Sequence, residues 1–252
     1  MDKLNQTILR SLLQRPLVVE VQDSIDSTNN ELKRRYGAGE TGDRLLVAET
    51  QTGGRGRLGR SFYSPAGSGL YFSLGLTGIT DFADAVLLTT VASTAAVEAI
   101  ETLTPHRPAI KWVNDILENG RKLGGILTEA VTAPDGTLSA VIIGIGLNVA
   151  PSAFPPELAD IAGWLDLSPV TREQLTAAIV DRIYGHIETL PQRGYLPSYR
   201  AHSLVLGKTV RVLTDPPFTA TAVAIDDNGG LVIEHNATRQ TLSTGEISIR
   251  IE

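Results

Sequence analysis

Apolar positions along the chain fall into two textures, one with helical spacing and one with strand spacing. Leu4, Ile8 and Leu12 recur every fourth residue and predict a short helix within residues 1–16, stopped by Pro16. Thr28 followed by Glu31 has the spacing of a capping box and predicts a helix from Asn29 to Tyr36. Residues 81–101 are rich in alanine and valine and hold no Gly or Pro, which fits a long helix packed on a sheet. The clearest helix is Thr171–Leu190, where Thr171 and Gln174 form a capping box and Leu175, Ile179, Ile183 and Ile187 make an apolar stripe. Tyr195–His202 reads as a final short helix. The strand candidates are Leu17–Val21, Arg44–Thr50, Gly69–Leu76, a short run from Ala109 ending in a polar turn, Lys122–Val131 and Leu138–Val149. Asn119-Gly120 suits a hairpin turn, and Pro134-Asp135-Gly136 joins the last two strands. Pro151–Pro169 is proline-rich and reads as an irregular connection.

Beyond Leu206 the texture changes. Thr209–Leu213, Thr219–Ile225, Leu231–His235, Thr238–Leu242 and Glu246–Arg250 are short β-rich runs separated by Pro, Asp, Asn and Gly. Such spacing predicts a small barrel. The boundary is expected near Val205, giving domains 1–204 and 205–252.

Composition narrows the function classes. At 252 residues the chain can bury a sizeable core. A hydrophobic fraction of 42% and a charged fraction of 20% are ordinary for a globular protein. The net charge of −6 argues against general nucleic-acid binding. With no cysteine there are no disulfides, thiolate metal sites or cysteine nucleophile, and the four histidines have no metal-ligand spacing. No N-terminal apolar run suits a signal peptide or membrane span, so the cytoplasm is the expected compartment, with no membrane partner. Residues 1–16 are too short for a helix-turn-helix, so no DNA partner is expected.

The candidate chemistry centres on Glu49–Ser64, which holds Arg55, Arg57 and Arg60 among Gly53, Gly54, Gly56 and Gly59. Glycine lets a ligand approach the main chain, and arginine brings a planar cation suited to carboxylate and phosphate. On composition alone, a solvated surface loop is the favoured reading of this stretch. Three further polar clusters fall at strand ends or turns: Ser27-Thr28-Asn29, Lys111 to Asp115, and Arg121-Lys122. Ser27 and Thr28 could simply cap a helix, and Lys111 with Asp115 could be a surface pair. Gly144-Ile145-Gly146 is no dinucleotide fingerprint, because Val149 replaces the third glycine and Pro151 follows where a helix should open.

The segments Gly53–Pro65 (GGRGRLGRSFYSP), Gly67–Leu74 (GSGLYFSL), Lys111–Ile116 (KWVNDI), Arg121–Leu127 (RKLGGIL) and Gly144–Val149 (GIGLNV), in this order, resemble the biotin protein ligase family. The resemblance runs from about Asp23 to the C-terminus. It implies an α+β fold, a mixed β-sheet packed with helices of the class II synthetase-like kind, followed by a small SH3-like β-barrel. It implies two reactions. Biotin and ATP, with Mg2+, give biotinyl-5′-AMP and pyrophosphate; a lysine of a biotin carboxyl carrier protein or carboxylase domain then attacks the mixed anhydride.

By resemblance, Arg55 and Lys122 would bind the carboxylate and α-phosphate. Ser27, Thr28, Asn29 and Gln51, with Arg55, Gly56, Arg57 and Lys122, would bind biotin. Arg57, Arg60, Phe62, Lys111, Asn114, Asn148 and Arg250 would bind the nucleotide, and Mg2+ would be held largely by phosphates. Asp115 would either deprotonate the attacking lysine or only position Lys111 or the metal. Bringing two anions about 4 Å apart costs about 4 kcal/mol at an effective dielectric of 20, so cations are needed there. The glycine loop would order over the reactive adenylate. Phe62 stands where some members carry tryptophan, and Val113 where many carry proline, which would leave that turn less rigid. Two rivals remain. A lipoate or octanoate ligase would share the fold, and an RNA-binding module would use RGRLGR beside a β-barrel, against the acidic charge. The sequence does not set the oligomeric state; a homodimer is one expectation.

Overall fold

The computed structural model describes residues 2–151, 154–243 and 249–251, with Ile249 and Arg250 described by backbone alone. Seven strands form the main sheet. They are β1 (Val18–Gln22), β2 (Arg44–Ala48), β3 (Gly69–Leu76), β4 (Ala109–Lys111), β5 (Asp115–Glu118), β6 (Arg121–Thr132) and β7 (Leu138–Asn148). Their order is β1-β2-β3-β7-β6-β5-β4; β1 and β2 are parallel and every other neighbouring pair is antiparallel.

The central strands are covered on both faces. All eight residues of β3 are buried, which explains why the run does not alternate cleanly in polarity. On one face lie α1 (Gln6–Leu12), α3 (Phe82–Leu103), α4 (Arg172–Glu188) and α5 (Leu196–Ala201), and α2 (Thr28–Gly37) lies on the other. Along β7 the split follows the two-residue period. Val141, Ile143, Ile145 and Leu147 join the large core, while Ala140 and Ile142 join the small cluster with Leu32 and Tyr36 of α2. The helix α3 is the one described helix long and apolar enough to cross a membrane, and it is mostly buried in this core.

Two sequence readings need correction. The apolar stripe of the first helix is not Leu4-Ile8-Leu12: Leu9 is the buried helical residue, while Ile8 and Leu12 are exposed. Asn5 caps the helix and starts it after Leu4, so the four-residue spacing began outside it. The helix α2 begins at Thr28 with Ser27 as its cap, so Thr28–Glu31 is not a capping box. The Thr171–Gln174 box at α4 is present on both sides. At Asn119-Gly120 both residues have positive φ, as a two-residue hairpin turn between twisted strands requires.

The C-terminal strands β8 (Thr209–Val212), β9 (Phe218–Ile225), β10 (Leu231–His235), β11 (Thr238–Leu242) and β12 (Ile249–Ile251) form an antiparallel sheet ordered β11-β10-β9-β8-β12. This is the SH3-like unit. It packs on the first sheet's core and is tied to it by Trp112 Nε1, which donates to Gly229 O at 3.0 Å. Most of the expected strand Glu246–Arg250 lies outside the described residues.

A buried ion pair fastens the N-terminal segment. Arg172 Nη1 and Nη2 donate to Glu49 Oε2 at 2.9 Å and Oε1 at 3.1 Å, and Nη2 also donates to Asp2 O at 2.6 Å. Leu4 N donates to the same Glu49 carboxylate. The two side chains are 2% and 9% exposed, so removing one leaves the other charge buried and unpaired. Arg172→Ala is expected to cost about 3 kcal/mol of stability by that mechanism. Urea denaturation checks this; an unchanged midpoint would mean that the pair contributes nothing net.

Candidate active site

A cleft opens on the α2 side of the sheet, between the start of α2, the loop after β2, the middle of β6 and β7, and the turn between β4 and β5. Its floor is made by glycine. A side chain at Gly144 would place its Cβ 2.1 Å from Asn29 Oδ1, and one at Gly146 would sit 2.6 Å from the Phe62 ring. The Gly144-Ile145-Gly146 pattern therefore serves close packing, with the intervening Ile145 in the opposite core.

One wall is polar and uncharged. Thr28 N and Oγ1 donate to Gln51 Oε1 at 2.9 and 3.2 Å, and Gln51 Nε2 donates to Ser64 Oγ at 3.1 Å. Beneath them the buried Ser73 Oγ lies 2.7 Å from Thr28 Oγ1 and 2.6 Å from Asn29 Oδ1. Asn29 Nδ2 donates to Leu127 O at 3.2 Å and to Glu129 Oε2 at 3.0 Å, so both amide hydrogens are spent. Asn29 thus braces the wall, and Ser27, Thr28 and Gln51 present it.

The other end is charged. Lys122 Nζ donates to Asp115 Oδ1 at 2.6 Å, and Arg57 Nη1 donates to Asn114 Oδ1 at 3.2 Å. Asn114 is held in turn, its Nδ2 donating to Ile126 O at 2.8 Å. Burial depresses the Arg57 pKa below its ordinary value; the Asp115 charge opposes this and the Arg60 charge adds to it. Lys111 and Asp115 are cross-strand partners, and the Asp115 carboxylate forms an ion pair with Lys122. The turn beneath is anchored from the core: Tyr199 Oη donates to Val113 O at 3.1 Å, and Trp112 and Val113 are buried. Without proline, the turn is fixed by that phenol and by packing. Burial pushes the Tyr199 pKa up, which keeps it a donor.

The glycine-arginine loop forms an arch over this end. Phe62 N donates to Gly54 O at 2.8 Å and Gly56 N to Arg60 O at 2.7 Å. A Cβ at Gly54 would lie 2.4 Å from Phe62 O, so the arms can meet only with glycine there. The arginines diverge. Arg57 reaches Asn114 inside the cleft, while Arg55 Nη1 turns to Asn30 Oδ1 at 2.9 Å and Glu129 Oε1 at 3.1 Å. Phe62 meets Tyr71 edge to face with ring centroids 6.3 Å apart.

Every expected site residue lines the cleft except two. Asn148 is buried apart from it, its Nδ2 donating to Gly163 O at 2.9 Å. The Arg250 side chain lies outside the described residues. The sequence reading missed Ser73, Glu129, Tyr199 and Leu213. Ser73 carried a signal, as a lone small polar residue inside an apolar strand, and Glu129 as the one carboxylate in β6; Leu213, which reaches the cleft from the end of β8, carried none. Among the described residues no group of three or more His, Cys, Asp or Glu could hold a metal ion.

The chain is similar to known proteins over most of its length. Residues 21–148 match the biotin/lipoate A/B protein ligase family, and residues 205–250 match the biotin protein ligase C terminal domain. The chain is 34% identical over 241 residues to the bifunctional ligase/repressor BirA of Bacillus subtilis, covering 91% of this chain and 72% of that protein. It is 32% identical to the biotin–[acetyl-CoA-carboxylase] ligase of Paracoccus denitrificans, covering 88% of this chain and 96% of that one. The structure of the biotin protein ligase from Aquifex aeolicus in complex with biotin and ATP superposes with a TM-score of 0.80 at 28% identity, covering 93% of this chain and 99% of that one.

The glycine floor makes a direct prediction. Gly144→Ala is expected to cost about 2 kcal/mol, because the added methyl must push Asn29 and the start of α2 off the sheet. Chemical denaturation reads the loss. A variant as stable as the parent would mean that α2 can shift without penalty.

Proposed function

The chain belongs to the biotin/lipoate A/B protein ligase family, and we propose that the cleft divides the work of a biotin protein ligase between its neutral wall and its charged end. The enzyme is an ATP-dependent, AMP-forming ligase. It joins the biotin carboxylate to the α-phosphate of ATP, releasing pyrophosphate, and passes the biotinyl group from the adenylate to a lysine amine. The family acts on the carrier domains of biotin-dependent carboxylases. For this chain the acceptor is proposed to be such a domain, and the compartment the cytoplasm, where ATP and carrier meet. The ligase activity is the role proposed for the described residues, whose N-terminal part forms one short helix. The division at Val205 is proposed as the domain boundary.

The observation that carries the site assignment is the polarity of the cleft. A wall of hydroxyl and amide groups from Ser27, Thr28 and Gln51 stands opposite Lys122, Arg57, Asn114 and Asp115. A neutral bicyclic head needs hydrogen-bond partners, because a buried unpaired polar group is costly. The reacting carboxylate and phosphate need cations in a partly water-excluded site.

Arg57 and Lys122 supply that charge at the point of reaction, a role the resemblance gave to Arg55 and Lys122. Arg55 is turned to Glu129 and Asn30, at the cleft's edge. Asp115 holds Lys122 in place during adenylate formation. In transfer it is the nearby carboxylate able to accept a proton from the incoming ammonium, whose ordinary pKa of about 10.4 otherwise leaves it unreactive. Lys111, Arg60 and Phe62 border the nucleotide, and Mg2+ enters with ATP, held by its phosphates.

The decisive measurement is ATP–pyrophosphate exchange with Mg2+, comparing biotin with lipoate and octanoate. Exchange is expected with biotin; exchange confined to lipoate or octanoate would keep the fold and replace the substrate. Arg57→Gln and Lys122→Gln are each expected to slow exchange by about a hundredfold to a thousandfold, the loss typical when one charge-stabilising donor is removed. A rate within a few fold of the parent for either would remove that residue from the chemistry. Amide exchange across Gly53–Arg60 is expected to slow when biotin and ATP are added together; equal rates would remove the loop's role as a lid.

A further inference from the structure

Glu129 sits on β6 two residues beyond Leu127, which lines the cleft, and so shares its face of the strand. Its side chain is 14% exposed, and its carboxylate gathers groups from two separate elements. From the loop, Arg55 Nη1 donates to Oε1 at 3.1 Å and approaches Oε2 at 3.3 Å. From α2, Asn29 Nδ2 donates to Oε2 at 3.0 Å and Lys33 Nζ lies 3.6 Å from Oε1. Asn30 Oδ1 accepts from the same Arg55 Nη1 at 2.9 Å. The arm that carries Arg55 is flanked by Gly54 and Gly56, whose backbones resist bending least. A charge-assisted pair on a mostly buried carboxylate is a strong point of attachment for so soft an arm.

Resting on the ligase reading above, we propose that Glu129 is a positioning residue that latches the arch. By holding Arg55 it keeps the loop closed over the acyl-adenylate until the acceptor amine arrives. Arg55 then acts through the loop's position and leaves the reacting atoms to Arg57 and Lys122. When the latch is weak, water reaches the acyl carbon, adds there and expels AMP, giving free biotin. The cost appears as ATP consumed without an acceptor, while adenylate formation is largely kept.

The test compares two rates in the full chain with biotin, ATP and Mg2+ and no acceptor: pyrophosphate exchange, which reports adenylate formation, and AMP release, which reports its loss to water. Glu129→Gln removes the charge that binds Arg55 and keeps an oxygen for Asn29 Nδ2. The ratio of AMP release to exchange is expected to rise about tenfold in Glu129→Gln and in Arg55→Gln, the size of one charge-assisted contact. It is expected to rise no further in the double variant, and Glu129→Asp should lie between parent and Gln. An unchanged ratio, a proportional fall of both rates, or independent effects in the double variant would each overturn the latch. Should Glu129→Gln fail to fold, Arg55→Gln on the exposed loop reads the same ratio. Absence of biotin-dependent exchange in the parent would instead overturn the ligase reading itself, so the two failures are distinct.

Discussion

The cleft depends on how closely the start of α2 and the Phe62 arm lie on the sheet. Two glycines of β7 set that distance. Gly144 leaves room for Asn29, and Gly146 leaves room for the Phe62 ring. Gly75 on β3 does the same for Tyr36 at the other end of α2, where a Cβ would lie 2.4 Å from the ring. Close approach lets Ser73, on the sheet, meet Thr28 and Asn29, on the helix, through one short hydrogen-bonded chain. That chain continues through Gln51 to Ser64, so helix, sheet and loop share one polar seam. A seam of this kind is costly to leave partly unsatisfied, which is why it specifies one arrangement.

Electrostatics then separates the two ends of the cleft. The uncharged wall is built where backbone and hydroxyl groups already satisfy one another. The charged end is built where the β4–β5 turn meets the loop's tip, and two of its cations are held there: Lys122 by Asp115, and Arg57 by Asn114. An incoming pair of anions meets cations already held in place, with little left to reorganise. Tyr199 carries that order back into the core through the Val113 carbonyl. The buried Glu49–Arg172 pair stands just before the loop and fixes the strand from which it departs.

Much of the fold was legible because period and punctuation agreed. The α4 capping box, the Asn119-Gly120 hairpin and the change of texture after Leu206 each have a local cause, and each appears where local physics puts it. The errors were also physical. A four-residue spacing in the first helix took in Leu4, which lies before the Asn5 cap. Thr28 was read as a cap because its spacing to Glu31 is right, but Ser27, one residue earlier, holds the extended backbone that a cap needs.

The sequence by itself determined most element types and the glycine-arginine loop, since these follow from local spacing and residue chemistry; the polar residues expected at the cleft came from resemblance to the family, and Asn148 among them does not line it. Tertiary structure alone decided which partner each arginine meets. Arg55 and Arg57 are two residues apart in the same motif, and nothing local distinguishes them. Only the fold brings Glu129 and Asn30 to one and Asn114 to the other, from positions distant in the chain. The same holds for Ser73, whose partners come from α2, and for Leu213, which the C-terminal sheet brings to the cleft. Local sequence sets what a residue can do; long-range packing sets which partner it meets.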